Sequence, residues 1–153
     1  MEEVIFNGRI ELALRTLYLL KHSNKDLDLQ RILYYNYLMV HSSDISGGPI
    51  SLHPDLPNRS CEIIVLREKF KEAIQMLISK EIIGVKYKKK GVYYTKNEKT
   101  LNFLNYFESD YSKNIDKIAK WTCDYFGKEK DVKISQFINN NLSKWGEEFS
   151  ENV

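Results

Sequence analysis

The sequence contains few of the residues from which metal sites, disulfide scaffolds and nucleophilic active sites are built. Its 153 residues include only two cysteines and three histidines. Cys61 and Cys123 are far apart in sequence, so no disulfide framework is predicted, and we expect both to be small buried side chains. No two histidines are spaced i, i+4 and no C-x-x-C pair occurs, so no zinc site is predicted either.

Long apolar runs are missing as well. No stretch approaches the roughly 20 apolar residues that a membrane-spanning helix requires. The segment MEEVIFNGRIELAL is acidic where a secretory signal is basic. With 42% hydrophobic and 29% charged residues, the composition is typical of a globular chain with one domain, or one domain and a helical extension. We therefore expect a cytoplasmic protein that does not contact a membrane.

The net positive charge is small overall but concentrated locally. The formal net charge is only +2, which by itself implies no particular partner. Residues 80–99, however, contain seven lysines and two glutamates, which gives this segment a local net charge of +5. The rest of the chain is therefore net negative, and any basic surface is expected in this segment.

Helical periodicity predicts three helices in the first half of the chain, at residues 9–22, 27–41 and 60–80. Asn7 is a candidate N-cap for the first helix. The second helix is apolar on nearly all sides, which is typical of a buried central helix or of one that offers a second face to a partner. The third helix has an inner apolar stripe that consists of Ile63, Leu66, Phe70, Ala73, Ile74 and Leu77.

The periodicity changes after the third helix. The segment IIGVKYKKKGVYYTK contains two β-prone runs around KKKG, and this pattern predicts a β-hairpin in which Gly91 supplies a positive φ. Three helices followed by a hairpin are the element order of a winged helix-turn-helix. Beyond the hairpin, the pattern predicts one helix from Leu101 to Gly127 and a last helix at residues 132–145.

The predicted fold class is therefore mainly α with a small β-hairpin. Residues 1–99 form a winged helix-turn-helix, and residues 100–153 form a C-terminal helical extension that packs on it as a single compact unit. The turn between the second and third helices of such a fold is short, about three or four residues. Here it is replaced by an inserted loop at residues 41–58.

The segment GGPISLHPDLPNRSCE, residues 47–62, covers most of the inserted loop and contains all three prolines of the chain. A long irregular loop in a compact domain is more often functional or disordered than incidental, and apolar Ile50, Leu52 and Leu56 favour order. Two compatible interpretations remain open. The loop is an ordered Ω-like segment held by pairing of Asp55 with Arg59, or its rigidity presents a partner-binding surface formed by Leu52, His53, Asp55 and Arg59.

No catalytic residue or cofactor is predicted. The glycines of the loop lack the spacing and the lysine of a Walker motif. His53 and Cys61 could form a dyad, but Cys61 falls in the first turn of a helix with an apolar inner face, and no oxyanion-hole pattern accompanies it. The chain is therefore expected to be non-enzymatic.

The hairpin is the best candidate for nucleic-acid binding. Lys86, Lys88, Lys89 and Lys90 suit contact with DNA phosphates, and the interleaved tyrosines suit stacking. The alternative is a solvated turn that is basic for solubility. The outer face of the third helix carries several glutamates, and this argues against base reading in the major groove.

One long segment resembles a known family. The sequence DLQRILYYNYLMVHSSDISGGPISLHPDLPNRSCEIIVLREKF is similar to the hallmark segment of the middle component of bacterial ABC three-component systems. The shared features are D-L-Q-R, V-H-S-x-D, G-G-P, L-H-P and R-S before a long helix. The similarity runs from about Phe6 through the hairpin into YFESDYSKNIDKIAKW. Cys61 stands where a small glycine is expected after R-S, a difference that affects local packing only.

The resemblance implies a small winged-helix subunit that is encoded beside an SMC- or Rad50-like ABC ATPase and an effector subunit, often a nuclease, in systems that include Lamassu-like defence. It implies no catalytic role for any residue. The expected function is an accessory subunit that docks on the ATPase and helps couple DNA sensing to the effector in anti-phage or anti-plasmid defence. The alternatives are a free-standing winged-helix DNA-binding transcriptional regulator and, less favoured, a small hydrolase.

Overall fold

The computed structural model describes residues 8–45, 47–50 and 59–145, and within the helices at the two ends of the last range it does not describe the side chains of residues 59–65 and 142–145. The described elements are α1 (Arg9–His22), α2 (Leu29–Val40), α3 (Arg59–Ser79), β1 (Gly84–Lys88), β2 (Gly91–Thr95), α4 (Glu98–Leu104), α5 (Asp110–Phe126) and α6 (Asp131–Trp145). This order confirms a mainly helical protein with a two-stranded antiparallel hairpin. None of the described helices is both long and apolar enough to cross a bilayer.

Helix α1 lies at the centre of the fold. All residues from Leu12 to Leu20 are buried, because α3, α4 and α5 pack around the helix and α2 also contacts it. The hydroxyl of Thr16 donates to the carbonyl of Leu12, which satisfies this polar group inside the core. Asn7, the predicted N-cap, lies outside the described residues, and Gly8 occupies the N-cap position.

Helix α2 is also buried on most of its circumference. It begins at the N-cap Asp28, whose carboxylate accepts a hydrogen bond from the backbone N–H of Arg31. It packs against α3 and α5, and α6 covers a further part of it. The inner stripe predicted for α3 is confirmed from Leu66 onward, whereas the side chain of Ile63 is outside the described residues.

The predicted hairpin is confirmed, and its strands are joined by a two-residue turn. Lys88 pairs with Gly91 across Lys89 and Lys90, and Gly91 has a φ of +143°, so its predicted positive φ is confirmed. The hairpin is also tied to the connection between α1 and α2. Leu27 and Tyr94 exchange two backbone hydrogen bonds, at 3.1 and 2.7 Å, which hold the strands against the helices.

The prediction of one helix from Leu101 to Gly127 is wrong, because α4 ends at Leu104 and α5 begins at Asp110. The reason is local: the hydroxyl of Ser109 accepts a hydrogen bond from the backbone N–H of Ser112 and caps a new helix. Apolar spacing continues across the break because Phe103 and Phe107 still pack edge to face, and periodicity therefore hid the interruption.

Candidate nucleic-acid interface

The hairpin brings the four predicted lysines together on one projecting element. Side chains alternate along a strand, so Lys86 and Lys88 lie on one face of the hairpin, while Lys89 and Lys90 form its turn. All four side chains are exposed. The arrangement places positive charge along one face and at the tip.

Lys86 and Lys88 share a carboxylate partner that the sequence analysis missed. Their Nζ atoms lie 3.5 and 3.1 Å from the same Oδ2 atom of Asp26. Lys88 also lies over the ring of Tyr93, with 4.6 Å between Nζ and the ring centroid. Asp26 is more than sixty positions away from Lys88 in sequence, and the adjacent Leu27–Tyr94 pairing holds this segment beside the hairpin.

Lys89 and Lys90 are different. Within residues 8–45, 47–50 and 59–145, neither side chain forms an ion pair, and both are exposed at the turn. They are therefore the lysines of the hairpin whose charge is not already offset by a neighbouring carboxylate. A phosphate at the tip would meet them without displacing an internal partner.

The opposite face of the hairpin is apolar. Tyr87 and Val92 are paired across the strands and are 81% and 40% exposed. Tyr94, further from the tip on the same face, is half-buried, and burial raises the pKa of its hydroxyl. An exposed tyrosine beside lysines offers a stacking surface for a base as well as a contact for the backbone.

The outer face of α3 carries mixed charge, as predicted. Lys71 pairs with Glu68 at 3.2 Å, and Arg67 donates a hydrogen bond to the side chain of Gln30. Glu72 is exposed on the same helix. These positions do not form the continuous basic surface that a helix in the major groove usually presents.

The predicted partner-binding loop lies largely outside the described residues. This applies to Leu52, His53 and Asp55, and hence to the pairing of Asp55 with Arg59 and to the dyad of His53 with Cys61. Arg59 is the first residue of α3, and its side chain is not described.

The beginning of the loop is described and is a tight turn. The hydroxyl of Ser42 donates to the carbonyl of Pro49 at 3.0 Å, and Gly47 has a φ of +77°. A Cβ atom at Gly48 would lie 2.1 Å from the carbonyl oxygen of Ser42, so a side chain does not fit there. The paired glycines therefore shape this turn.

Two buried arginines, absent from the predicted site residues, join the helices. Arg15 is fully buried and donates to Asn36 on α2 at 2.7 Å and to Glu11 at 3.0 Å. Tyr111 on α5 donates to the same Glu11, and burial is the main cause that raises the pKa of its hydroxyl. A buried cation with acceptors on α1 and α2, one of which also binds Tyr111 of α5, stabilises the arrangement of the three helices.

Arg31 makes the equivalent connection to α6. Its guanidinium donates to the carboxylate of Asp131 at 2.6 Å, to the hydroxyl of Tyr35 at 2.9 Å and to the carbonyl of Glu129 at 2.7 Å. These partners lie about one hundred positions away except for Tyr35. Sequence periodicity carries no information about such long-range pairs.

The described part of the chain offers no metal centre or activated thiol. It contains no group of three or more histidine, cysteine or acidic side chains that could hold a metal ion. Cys123 is buried, as predicted, and burial raises the pKa of its thiol to about 12. This thiol stays protonated at neutral pH and is a poor nucleophile.

Comparisons with known proteins identify a family. Residues 5–148 match the family model described as ABC-three component (ABC-3C) system Middle Component 2. No curated protein and no solved structure gives a significant match. The matched range covers nearly all of the 153 residues. The chain therefore belongs to the Middle Component 2 family of ABC three-component systems, and it is an accessory component that works with the other components of such a system.

Proposed function

We propose that this chain is a non-enzymatic subunit that docks on an SMC- or Rad50-like ABC ATPase and contributes a DNA-backbone contact to the complex. It acts in the cytoplasm with an effector subunit, of the nuclease class, in defence against phages or plasmids. Membership of the Middle Component 2 family supports the partnership. The observation that carries the DNA contact is the exposed Lys89–Lys90 turn on a hairpin that is anchored to the core.

The fold proposed for this role is a winged helix-turn-helix in residues 1–99, with residues 100–153 as the extension. The hairpin is the wing, and α3 occupies the position of the recognition helix. The Leu27–Tyr94 pairing supports this assignment, because it adds a short third extended segment to the hairpin and fixes the wing beside α1 and α2.

The proposed contact is with the DNA backbone and does not distinguish one base sequence from another. Lysines at the hairpin tip meet phosphates as point charges, and such contacts carry affinity without base information. The mixed charge on α3 is consistent with this mode. Loop residues Leu52, His53, Asp55 and Arg59 are proposed as part of the surface that faces the ATPase.

The alternative is a free-standing transcriptional regulator, which the order of three helices and a hairpin also suits. A regulator would bind one operator sequence far more tightly than random DNA, as a dimer, without any ATPase. The accessory-subunit role predicts instead that the chain co-purifies with an ATPase encoded beside it. The two functions therefore differ in partner and in sequence preference.

The test compares the complex carrying Lys89→Glu/Lys90→Glu with the complex carrying Lys117→Glu/Lys133→Glu. The control pair is exposed on α5 and α6 and changes the charge by the same amount. The wing pair should lower the log–log slope of DNA affinity against salt by about 1.8, or about 0.9 for each lost phosphate contact, on every sequence tested. If the two double variants give the same salt slope, the lysine turn serves solubility and the proposed DNA contact is wrong.

A further inference from the structure

A second basic feature lies beside the hairpin, at a cavity between the α1–α2 connection and the end of α5. The cavity has a volume of about 500 Å³, which is within the range of ligand sites. It is lined by Ser23, Asn24, Lys25, Tyr35, Cys123, Asp124, Gly127 and Lys128. Most of these residues are polar, and the lining contains two lysines and one aspartate.

The two lysines of the cavity are available to an anion. Lys25 and Lys128 are exposed, and among the residues that the structure describes neither forms an ion pair. The aspartate, in contrast, is already paired: the carboxylate of Asp124 lies 2.8 Å from the Nζ atom of Lys120. The uncompensated charge at the cavity is therefore positive.

Two further cations lie directly behind the lining residues. The ammonium group of Lys96 donates to the carbonyls of Lys21 and Ser23, which places it at the end of α1. The guanidinium of Arg31 donates to the hydroxyl of Tyr35, although Asp131 offsets its charge. The local field consequently favours an anionic ligand over a cationic one.

The turn between α1 and α2 connects the cavity to the basic face of the hairpin. The hydroxyl of Ser23 donates to the carbonyl of Lys25 and accepts from its N–H, and this tight turn fixes the direction of the next residue. That residue is Asp26, which holds Lys86 and Lys88. One short turn thus joins the cavity rim on one side to the wing on the other.

We propose that this cavity is a second phosphate-binding site, in which Lys25 and Lys128 contact the backbone of a DNA strand that also meets the wing. The proposal rests on the proposed DNA contact of the hairpin and extends its footprint onto the α1–α2 connection and the end of α5. The side-chain amide of Asn24 supplies an additional hydrogen-bond donor at the rim. The hairpin and the cavity together form a bipartite backbone contact.

The test measures binding of a fluorescein-labelled mixed-sequence DNA duplex to the purified full-length chain by anisotropy over a series of salt concentrations. Three double variants are compared: Lys25→Glu/Lys128→Glu at the cavity, Lys89→Glu/Lys90→Glu at the wing, and Lys117→Glu/Lys133→Glu as the matched control. Relative to the control, the cavity pair should lower the log–log salt slope by about 1.8. The neutral pair Lys25→Gln/Lys128→Gln should do the same, and it serves if the charge reversal impairs folding.

The outcomes separate the two proposals. A cavity pair that matches the control while the wing pair lowers the slope overturns the second site and keeps the wing contact. A cavity pair that lowers the slope while the wing pair does not supports the second site and overturns the wing contact. If neither pair differs from the control, or the chain shows no salt-dependent binding of DNA, both are overturned.

Discussion

At the scale of single residues, Asp26 sets the charge that two of the hairpin lysines offer to the proposed interface. Its carboxylate forms ion pairs with two of the four hairpin lysines, and its side chain is only 23% exposed. In the proposed contact, a DNA phosphate would compete with an internal anion for Lys86 and Lys88, whereas it would meet Lys89 and Lys90 without that competition. Asp26 acts as an intramolecular counter-ion that lowers the effective charge of the hairpin.

We predict that Asp26→Asn strengthens DNA binding by the assembled complex. Release of Lys86 and Lys88 adds up to two phosphate contacts, so the log–log salt slope should steepen by as much as about 1.8. Glu108→Gln, which removes one exposed carboxylate away from the hairpin, is the matched control. A variant that folds like the wild type and binds with an unchanged slope would show that the two lysines do not reach DNA.

At the scale of elements, the break between α4 and α5 is set by capping. Asn97 and Thr100 form a reciprocal capping box at the start of α4. Ser109 then caps α5, whose buried side, including Ile115 and Ile118, packs against α1 and α2. Without the hydroxyl of Ser109, the backbone N–H of Ser112 in the first turn of α5 loses its side-chain acceptor.

We predict that Ser109→Ala lowers the free energy of unfolding by about 1 kcal/mol, because the first turn of α5 loses its side-chain cap. Ser109→Asn keeps an acceptor at the same position and should stay close to the wild type. Urea denaturation followed by far-ultraviolet circular dichroism measures both. Equal stability of the alanine and asparagine variants would contradict a capping role.

At the scale of the whole molecule, the helices form most of the core, and the described start of the inserted loop adds the buried side chain of Ile45 to it. Helices α1 and α2 are enclosed by α3, α4, α5 and α6. The buried side chain of Arg15 joins α1 to α2, and that of Arg31 joins α2 to α6. The loop enters through the tight turn that ends at Pro49. The segment beyond this turn connects two elements that are already held in place by the core.

We predict that replacing residues 50–58 with a glycine–serine linker leaves the helices folded but weakens association with the ATPase. A flexible linker loses more conformational entropy on binding and lacks the proposed contact residues. Circular dichroism checks the fold, and co-purification with the ATPase checks assembly. A scrambled loop of identical composition is the control for length. If the linker variant is unfolded, the loop is part of the core. If the variant folds and assembles with full affinity, the loop is not part of the interface.

The sequence by itself determined most of the elements and their order, although it missed the break between α4 and α5. Apolar periodicity predicted α1, α2 and α3 within two residues of their observed ends, and the change to a β-prone pattern around KKKG predicted the hairpin. These features are local, because each depends on side chains a few positions apart. The family was also readable from sequence, since a long shared segment is far more specific than a short motif.

The tertiary structure alone decided which charges meet. Asp26 neutralises Lys88, Arg15 is buried against Asn36, and Lys25 lies at the same cavity as Lys128. Each pair joins positions that lie far apart in the chain, and nothing in the local pattern of either segment identifies its partner. The four hairpin lysines therefore look alike in the sequence, but folding divides them into two that are paired with a carboxylate and two that are open to a phosphate.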